Sequence, residues 1–223
     1  MSSGTKTERT EREVKIPTSG RPLGGTLGLP PNASGMVLFA HGSGSGRLSP
    51  RNQFVAKSLQ SAGLGTLLFD LLGGDEAEDR RNVFDIELLG GRLLAAALWL
   101  AREPATQSLR LGYFGASTGA AAALVAAARR PELAGAVVSR GGRPDLAFAD
   151  LPDVKAPTLL IVGGLDEDVI ELNRRALALL NCPKELVIVP GATHLFTEPG
   201  TLEEVARLAT HWFLKSLGGM PTA

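Results

Sequence analysis

Ser117 sits at the centre of Gly115-Ala116-Ser117-Thr118-Gly119, after the apolar run 109–114 and before the alanine-rich stretch 120–129. A serine at the tip of a sharp strand-to-helix turn holds its hydroxyl in the open, and flanking glycines relieve the crowding such a turn creates. The helix start behind it offers backbone N–H groups and partial positive charge to a developing oxyanion. In a chain with 27 glycines the five-residue pattern alone is weak, and an ordinary tight turn is the competing reading. The strand–turn–helix setting gives it chemical meaning.

Serine is a poor nucleophile at neutral pH and needs a base beside it. The chain has three histidines. His211 lies beside Trp212 in a terminal helical stretch and reads as a helix-face residue. His41 follows the apolar run 36–40 and opens a glycine-rich loop; His194 closes Pro190-Gly-Ala-Thr-His194 after the last apolar run. Both loop histidines follow strands, where reactive groups of an α/β sheet collect. Chain order separates them, because an elbow serine is followed first by an acid and then by its histidine. His194 meets that order, and His41 reads as a structural hydrogen-bonding residue. The acid belongs on the loop after the intervening strand, Val162-Gly-Gly-Leu-Asp166-Glu-Asp168. Asp166 is preferred for fixing the imidazole tautomer. Asp168 has a competing role as a helix N-cap with Glu171, and Glu167 is the weakest alternative.

The loop His41-Gly42-Ser43-Gly44 can turn its N–H groups toward the same point. The expected oxyanion donors are the backbone N–H groups of Ser43 and Thr118, with Gly42 or Gly44 as alternatives to Ser43. No G-x-x-x-x-G-K-[ST] phosphate loop and no G-x-G-x-x-G after a first strand are present, so nucleotide and dinucleotide cofactors are not expected. Dispersed histidines and one cysteine give no metal-ligand spacing. Arg47, Arg51, Arg140 and Arg143 cluster near the candidate loops, and with Gly42 they are candidate substrate-binding residues. Arginine suits carboxylate or phosphate recognition, which an anionic ester or lactone would use. The competing reading is salt bridges to Asp70, Asp75, Asp79, Asp145 or Asp150.

Elements able to position these groups follow from the pattern. Residues 14–16 and 23–29 read as an N-terminal hairpin behind a mobile tail, 1–12. Apolar runs at 36–40, 65–70, 109–114, 136–139, 158–162 and 186–189 read as strands buried on both faces. Helical patterns fall at 51–62, 86–100, 120–129 and 169–180, and Thr201 with Glu204 predicts a capping box for a last helix. Strands alternating with helices imply an α/β fold on a mainly parallel sheet, one domain over 13–223. The 23 basic and 23 acidic residues balance, which gives no general attraction to nucleic acid or anionic membrane. The longest apolar run, 93–101, is too short to span a bilayer, and residues 1–13 lack a signal peptide's apolar stretch. Cys182 is the only cysteine, so a cytoplasmic protein without an intrachain disulfide is expected.

With these residues together, the chain resembles the α/β-hydrolase superfamily over about residues 14–217, and within it the small dienelactone-hydrolase-like enzymes. The matching residues are His41-Gly42, Gly115 to Gly119, Gly164-Leu-Asp166-Glu-Asp-Val169 and Gly191-Ala-Thr-His194. Ser49 to Asn52, Phe69 to Leu72 and Ser139 to Asp145 resemble a bacterial branch that is sometimes fused to a phosphoribosyltransferase domain; no fused domain is expected here. Dienelactone hydrolases carry cysteine at the elbow where this chain has Ser117. The resemblance therefore implies a serine esterase of small esters or lactones more than a dienelactone enzyme. Cys182 reads as a packing residue. Lids of larger relatives enter between 139 and 157, and the brevity of that segment implies no large cap and a shallow pocket. Amide hydrolysis by the same groups, or a silent binding module on this fold, are the alternatives.

Overall fold

A computed structural model describes residues 10–18 and 20–218. Strand β1 (Thr10–Ile16) pairs antiparallel with β2 (Leu23–Leu29), which pairs antiparallel with β4 (Gly65–Phe69). The other strands are β3 (Met36–Ala40), β5 (Leu111–Ala116), β6 (Ala136–Arg140), β7 (Thr158–Gly163) and β8 (Lys184–Val189). The sheet runs β1-β2-β4-β3-β5-β6-β7-β8, and every pairing from β4 through β8 is parallel. The α/β-hydrolase reading of the sequence holds.

The expected tail overlaps β1: residues 10–12 are in the strand, and 1–9 lie outside the described residues. Val14 and Ile16 are buried while Glu11, Glu13 and Lys15 face out, a charged edge that resists pairing with another chain. Central strands β3 to β7 are buried throughout, as continuous apolar runs require. β8 departs from that expectation, being largely exposed because it forms the other edge.

The helices are α1 (Pro50–Ser61), α2 (Arg80–Val83), α3 (Ile86–Leu100), α4 (Thr118–Arg129), α5 (Glu167–Leu179) and α6 (Thr201–Leu217). Two apolar clusters sandwich the sheet. One joins α3 and α4 to one face through Leu93, Ala97, Ala122 and Val125; the other joins α1 and α6 through Val55, Leu59, Val205 and Phe213. Among the described residues no helix is long and apolar enough to cross a membrane.

Two details differ from the pattern. The capping box at Thr201 is not formed. The N-cap is Gly200 at φ 82°, while the Thr201 hydroxyl donates to the Glu198 carbonyl (2.7 Å) and Glu204 is drawn to Arg207. Strand β5 runs to Ala116 rather than residue 114, because Gly115 and Ala116 still find Ser139 and Arg140 as partners on β6. Between β6 and β7 there are only two short 3₁₀ turns, Pro144–Ala147 and Leu151–Asp153, and no large cap covers the sheet.

Candidate active site

Ser117 is held at φ 52°, ψ −120°, a left-side conformation rare for a residue with a Cβ. The chain ends β5 at Ala116 and starts α4 at Thr118, so one residue makes the whole turn. Both flanking glycines are required by contact. A Cβ on Gly115 would lie 2.4 Å from the Ala120 Cα, and one on Gly119 2.1 Å from the Ala40 carbonyl oxygen and 2.5 Å from that of His41. The Ser117 carbonyl accepts from Ala120 and Arg143 N–H groups (both 3.1 Å), which fixes the turn from two sides.

Asp166 and His194 meet across the ends of β7 and β8. His194 Nδ1 lies 2.7 Å from Asp166 Oδ2. Asp166 is the N-cap of α5, yet its side chain caps nothing and is spent on the imidazole instead. Glu167 and Asp168, the other candidate acids, lie exposed in the first turn of α5. Ser117 and His194 line one pocket of about 160 Å³. No Ser117–His194 hydrogen bond is formed among the described residues; such bonds are commonly long or misaligned before substrate arrives.

The His194 loop is pinned locally. A Cβ on Gly163 would sit 2.4 Å from the Ala192 carbonyl, which shows how closely β7 approaches this loop. Glu198 accepts from the Thr193 N–H (3.0 Å) and hydroxyl (2.7 Å). Those two bonds, the backbone one foremost, hold the Glu198 carboxyl down at about 2. A folded-state value below the ordinary 4.5 means stability present above 4.5 and lost as pH falls toward about 2. The urea midpoint advantage of the wild type over Glu198→Gln is therefore expected to shrink between pH 5 and about 2. An advantage independent of pH in that window would refute the anchoring role.

His41 is not at the reaction centre. Its Nε2 accepts from the Leu71 N–H (2.9 Å) and its Nδ1 faces the Gly42 carbonyl (3.0 Å), the pattern of a neutral ring. Burial, its largest influence, pushes its pKa down accordingly. It ties the start of the glycine-rich loop to the end of β4. Of the two expected oxyanion donors, the Thr118 N–H opens α4, where helices leave N–H groups unpaired. The Ser43 N–H donates to the Thr118 hydroxyl (3.1 Å). Gly42 lines the pocket, and a Cβ there would come within 3.0 Å of Ser117 Cβ. Beyond Ser43 and Thr118 lies a second hollow of about 160 Å³, walled by Leu72, Ala77, Val83 and Leu89. Its outer wall, residues 73–83, carries no apolar periodicity, so the sequence pattern missed it. Arg92 holds it in place, donating to Glu76 (2.8 Å) and to Thr18 (2.6 Å).

The four arginines separate. Arg47 is ion-paired with Asp70 and Glu13, and Arg143 with Asp145 (2.7 Å); neither lines the Ser117 pocket. Both make the kind of salt bridge that the competing reading named. Arg51 and Arg140 do line it and have no acidic partner among the described residues. Arg140 is 6% exposed, with Asn52 Oδ1 3.4 Å from Nη2 and the Phe196 ring centre 5.9 Å from its guanidinium carbon. Asn52 entered the sequence reading only as the end of the Ser49 to Asn52 resemblance, with no role attached, and Phe196 was not singled out. Cys182 is buried beside Thr158, at the opposite end of β7 from Asp166.

The sequence profile of the dienelactone hydrolase family matches residues 30–215. A crystal structure of a dienelactone hydrolase from Anabaena variabilis is 57% identical and superposes with a TM-score of 0.92, covering 94% of this chain and 99% of that one. A Mycobacterium tuberculosis protein named "Putative phosphoribosyl transferase" is 57% identical over 209 residues, 94% of this chain and 47% of its own length. The chain thus spans about half of that curated relative. Est1E from Butyrivibrio proteoclasticus, solved with ferulic acid bound, shares the fold at a TM-score of 0.80 and 18% identity, covering 92% of this chain and all of that one.

Proposed function

The chain belongs to the dienelactone hydrolase family, and from that premise we propose that it is a serine hydrolase of small carboxylic esters or lactones, working by two-step acyl transfer. The observation that carries this reading is the pairing of Asp166 with His194 Nδ1 at 2.7 Å beside a serine held at positive φ. With Nδ1–H donated to Asp166, Nε2 is left as the base. Ser117 Oγ attacks the carbonyl carbon as His194 Nε2 takes its proton. The tetrahedral oxyanion is met by the Thr118 N–H and by the Ser43 N–H, released when the Thr118 hydroxyl swings aside. The carbon–oxygen bond to the leaving alcohol then breaks, and His194 returns its proton to that oxygen. Water, deprotonated by His194, attacks the acyl-serine; the acid leaves and Ser117 is reprotonated. Each oxyanion donor is worth about 3 kcal/mol, a hundredfold or more in rate.

The name of the Mycobacterium tuberculosis relative suggests phosphoribosyl transfer. The shared half of that protein coincides with the hydrolase profile at 30–215, so we assign hydrolysis and not glycosyl transfer to this chain. The hollow beyond Ser43 and Thr118 suits an acyl group of about a benzene's bulk or less. Purified protein is expected to react with a fluorophosphonate probe and to turn over 4-nitrophenyl acetate and butyrate at least about tenfold faster than the octanoate. Absence of both labelling and turnover would defeat the reading. Faster cleavage of amides than of matched esters would move it to the amide class.

A further inference from the structure

We propose that the Ser117 pocket contains an anion subsite in which Arg51 and Arg140 clamp a phosphate-type dianion, so that the substrate is an ester or lactone carrying a phosphomonoester group. The term substrate rests on the esterase reading above; the subsite itself does not. Arg140 comes from the end of β6 and Arg51 from the first turn of α1, and both line the pocket that holds Ser117 and His194. Among the described residues neither has a carboxylate partner, and the Nε–H of each is buried without an acceptor. Asn52, itself buried, offers Arg140 one long contact of 3.4 Å. The buried Arg140 charge without a counter-ion is costly, and the like charge of partly buried Arg51 beside it adds to that cost. Burial first, and then the like charge of Arg51, push the Arg140 pKa down to about 10.

The Arg47 Nε–H also lacks an acceptor, but outside this pair no buried arginine among the described residues lacks a counter-ion. The other buried or partly buried arginines among the described residues, Arg47, Arg92, Arg130 and Arg143, each have a carboxylate at hand. The uncompensated pair occurs at the reaction centre, where a ligand supplies the missing charge. The start of α1 adds to it, since no acidic residue occupies its first turn. None of the residues lining the pocket is acidic. Two guanidinium forks present more donors than one carboxylate accepts, and their charge matches the two negative charges and three acceptor oxygens of a phosphomonoester. Ser45 and Ser49 also line the pocket and supply hydroxyls of the right kind. On the other side of Ser43 the hollow walled by Leu72, Val83 and Leu89 is apolar. The substrate thereby has one apolar half and one anionic half, with the carbonyl between them at Ser117.

The test is calorimetric titration of the Ser117→Ala protein at pH 7.5 and fixed ionic strength with phenyl phosphate, benzoate and phenol. Phenyl phosphate is expected to bind at least tenfold tighter than benzoate, and phenol weaker than both. Adding Arg51→Gln is expected to weaken phenyl phosphate at least tenfold. Arg207→Gln, the same charge change on an exposed residue paired with Glu204, is expected to leave it within twofold. Benzoate binding as tightly as phenyl phosphate, or phenyl phosphate binding indifferent to Arg51, would overturn the proposal. No turnover enters this measurement. A protein that binds phenyl phosphate but cleaves no ester refutes the esterase reading alone; one that cleaves neutral esters but ignores phenyl phosphate refutes the subsite alone.

Discussion

Ser117→Ala is expected to lower kcat/KM for 4-nitrophenyl acetate by about 10⁴-fold or more while leaving the folded protein intact. The size follows from the chemistry: without the alcohol no acyl-serine forms, and only the oxyanion donors and binding remain to help water attack. The structural half of the expectation follows from the backbone. Alanine keeps the Cβ and therefore the same penalty at φ 52°, so the turn neither relaxes nor tightens. Thermal midpoints should agree within a few degrees. Ser117→Gly makes a sharper comparison. It is equally inactive, but glycine occupies this conformation freely, so it should be more stable than the wild type by about 1–2 kcal/mol. A stabilised, inactive glycine variant beside an inactive alanine variant would show that strain is maintained at this residue for the sake of its hydroxyl. Turnover by Ser117→Ala above about 1% of wild type would remove Ser117 from the reaction.

What could be read in the residue order was whatever depends on near neighbours. Central strands announced themselves as continuous apolar runs because both faces are covered. The elbow was visible because Gly115, Ser117 and Gly119 all serve one turn. Asp166 was separable from Asp168 by its place directly after the β7 loop, and its side chain does go to His194. Long-range pairing was out of reach. Arg47 and Arg51 look alike in sequence, four residues apart, but Arg47 meets Asp70 across a loop and Arg51 meets no acid among the described residues. Arg143 was easier, since Asp145 is two residues away. The wall at 73–83 depends on Arg92, which reaches Glu76 and Thr18 from a different element. The Thr118 hydroxyl occupying the Ser43 N–H is a contact across 75 positions that no local pattern encodes. At α6 the local signal misled, because Gly200 at φ 82° ends the preceding loop one residue earlier than a capping Thr201 requires.

Gly119→Ala is expected to be the most damaging single methyl group in the molecule. The added carbon would fall 2.1 Å from the Ala40 carbonyl oxygen and 2.5 Å from that of His41. Neither is a side-chain tip that can swing away; both are backbone at the end of β3, whose Ala40 is paired with Gly115 of β5. Relief requires α4 to slide away from β3, which moves Thr118 relative to Ser43. Those two residues carry the proposed oxyanion donors, so the same shift that strains the fold separates the groups meant to act together. The expected cost is about 3 kcal/mol or more, lowering Tm by about 6–12 °C for a chain of this size, with at least a hundredfold loss of ester turnover. Gly91→Ala is the control. Gly91 lies exposed inside α3 with no atom within 4 Å of an added Cβ, and there the same methyl should stabilise by up to about 1 kcal/mol. Opposite signs for one chemical change at two helical glycines would tie the penalty to the contact between α4 and the end of β3. A Gly119→Ala protein that melts and turns over like the wild type would mean that this contact neither constrains the elbow nor sets the position of Thr118.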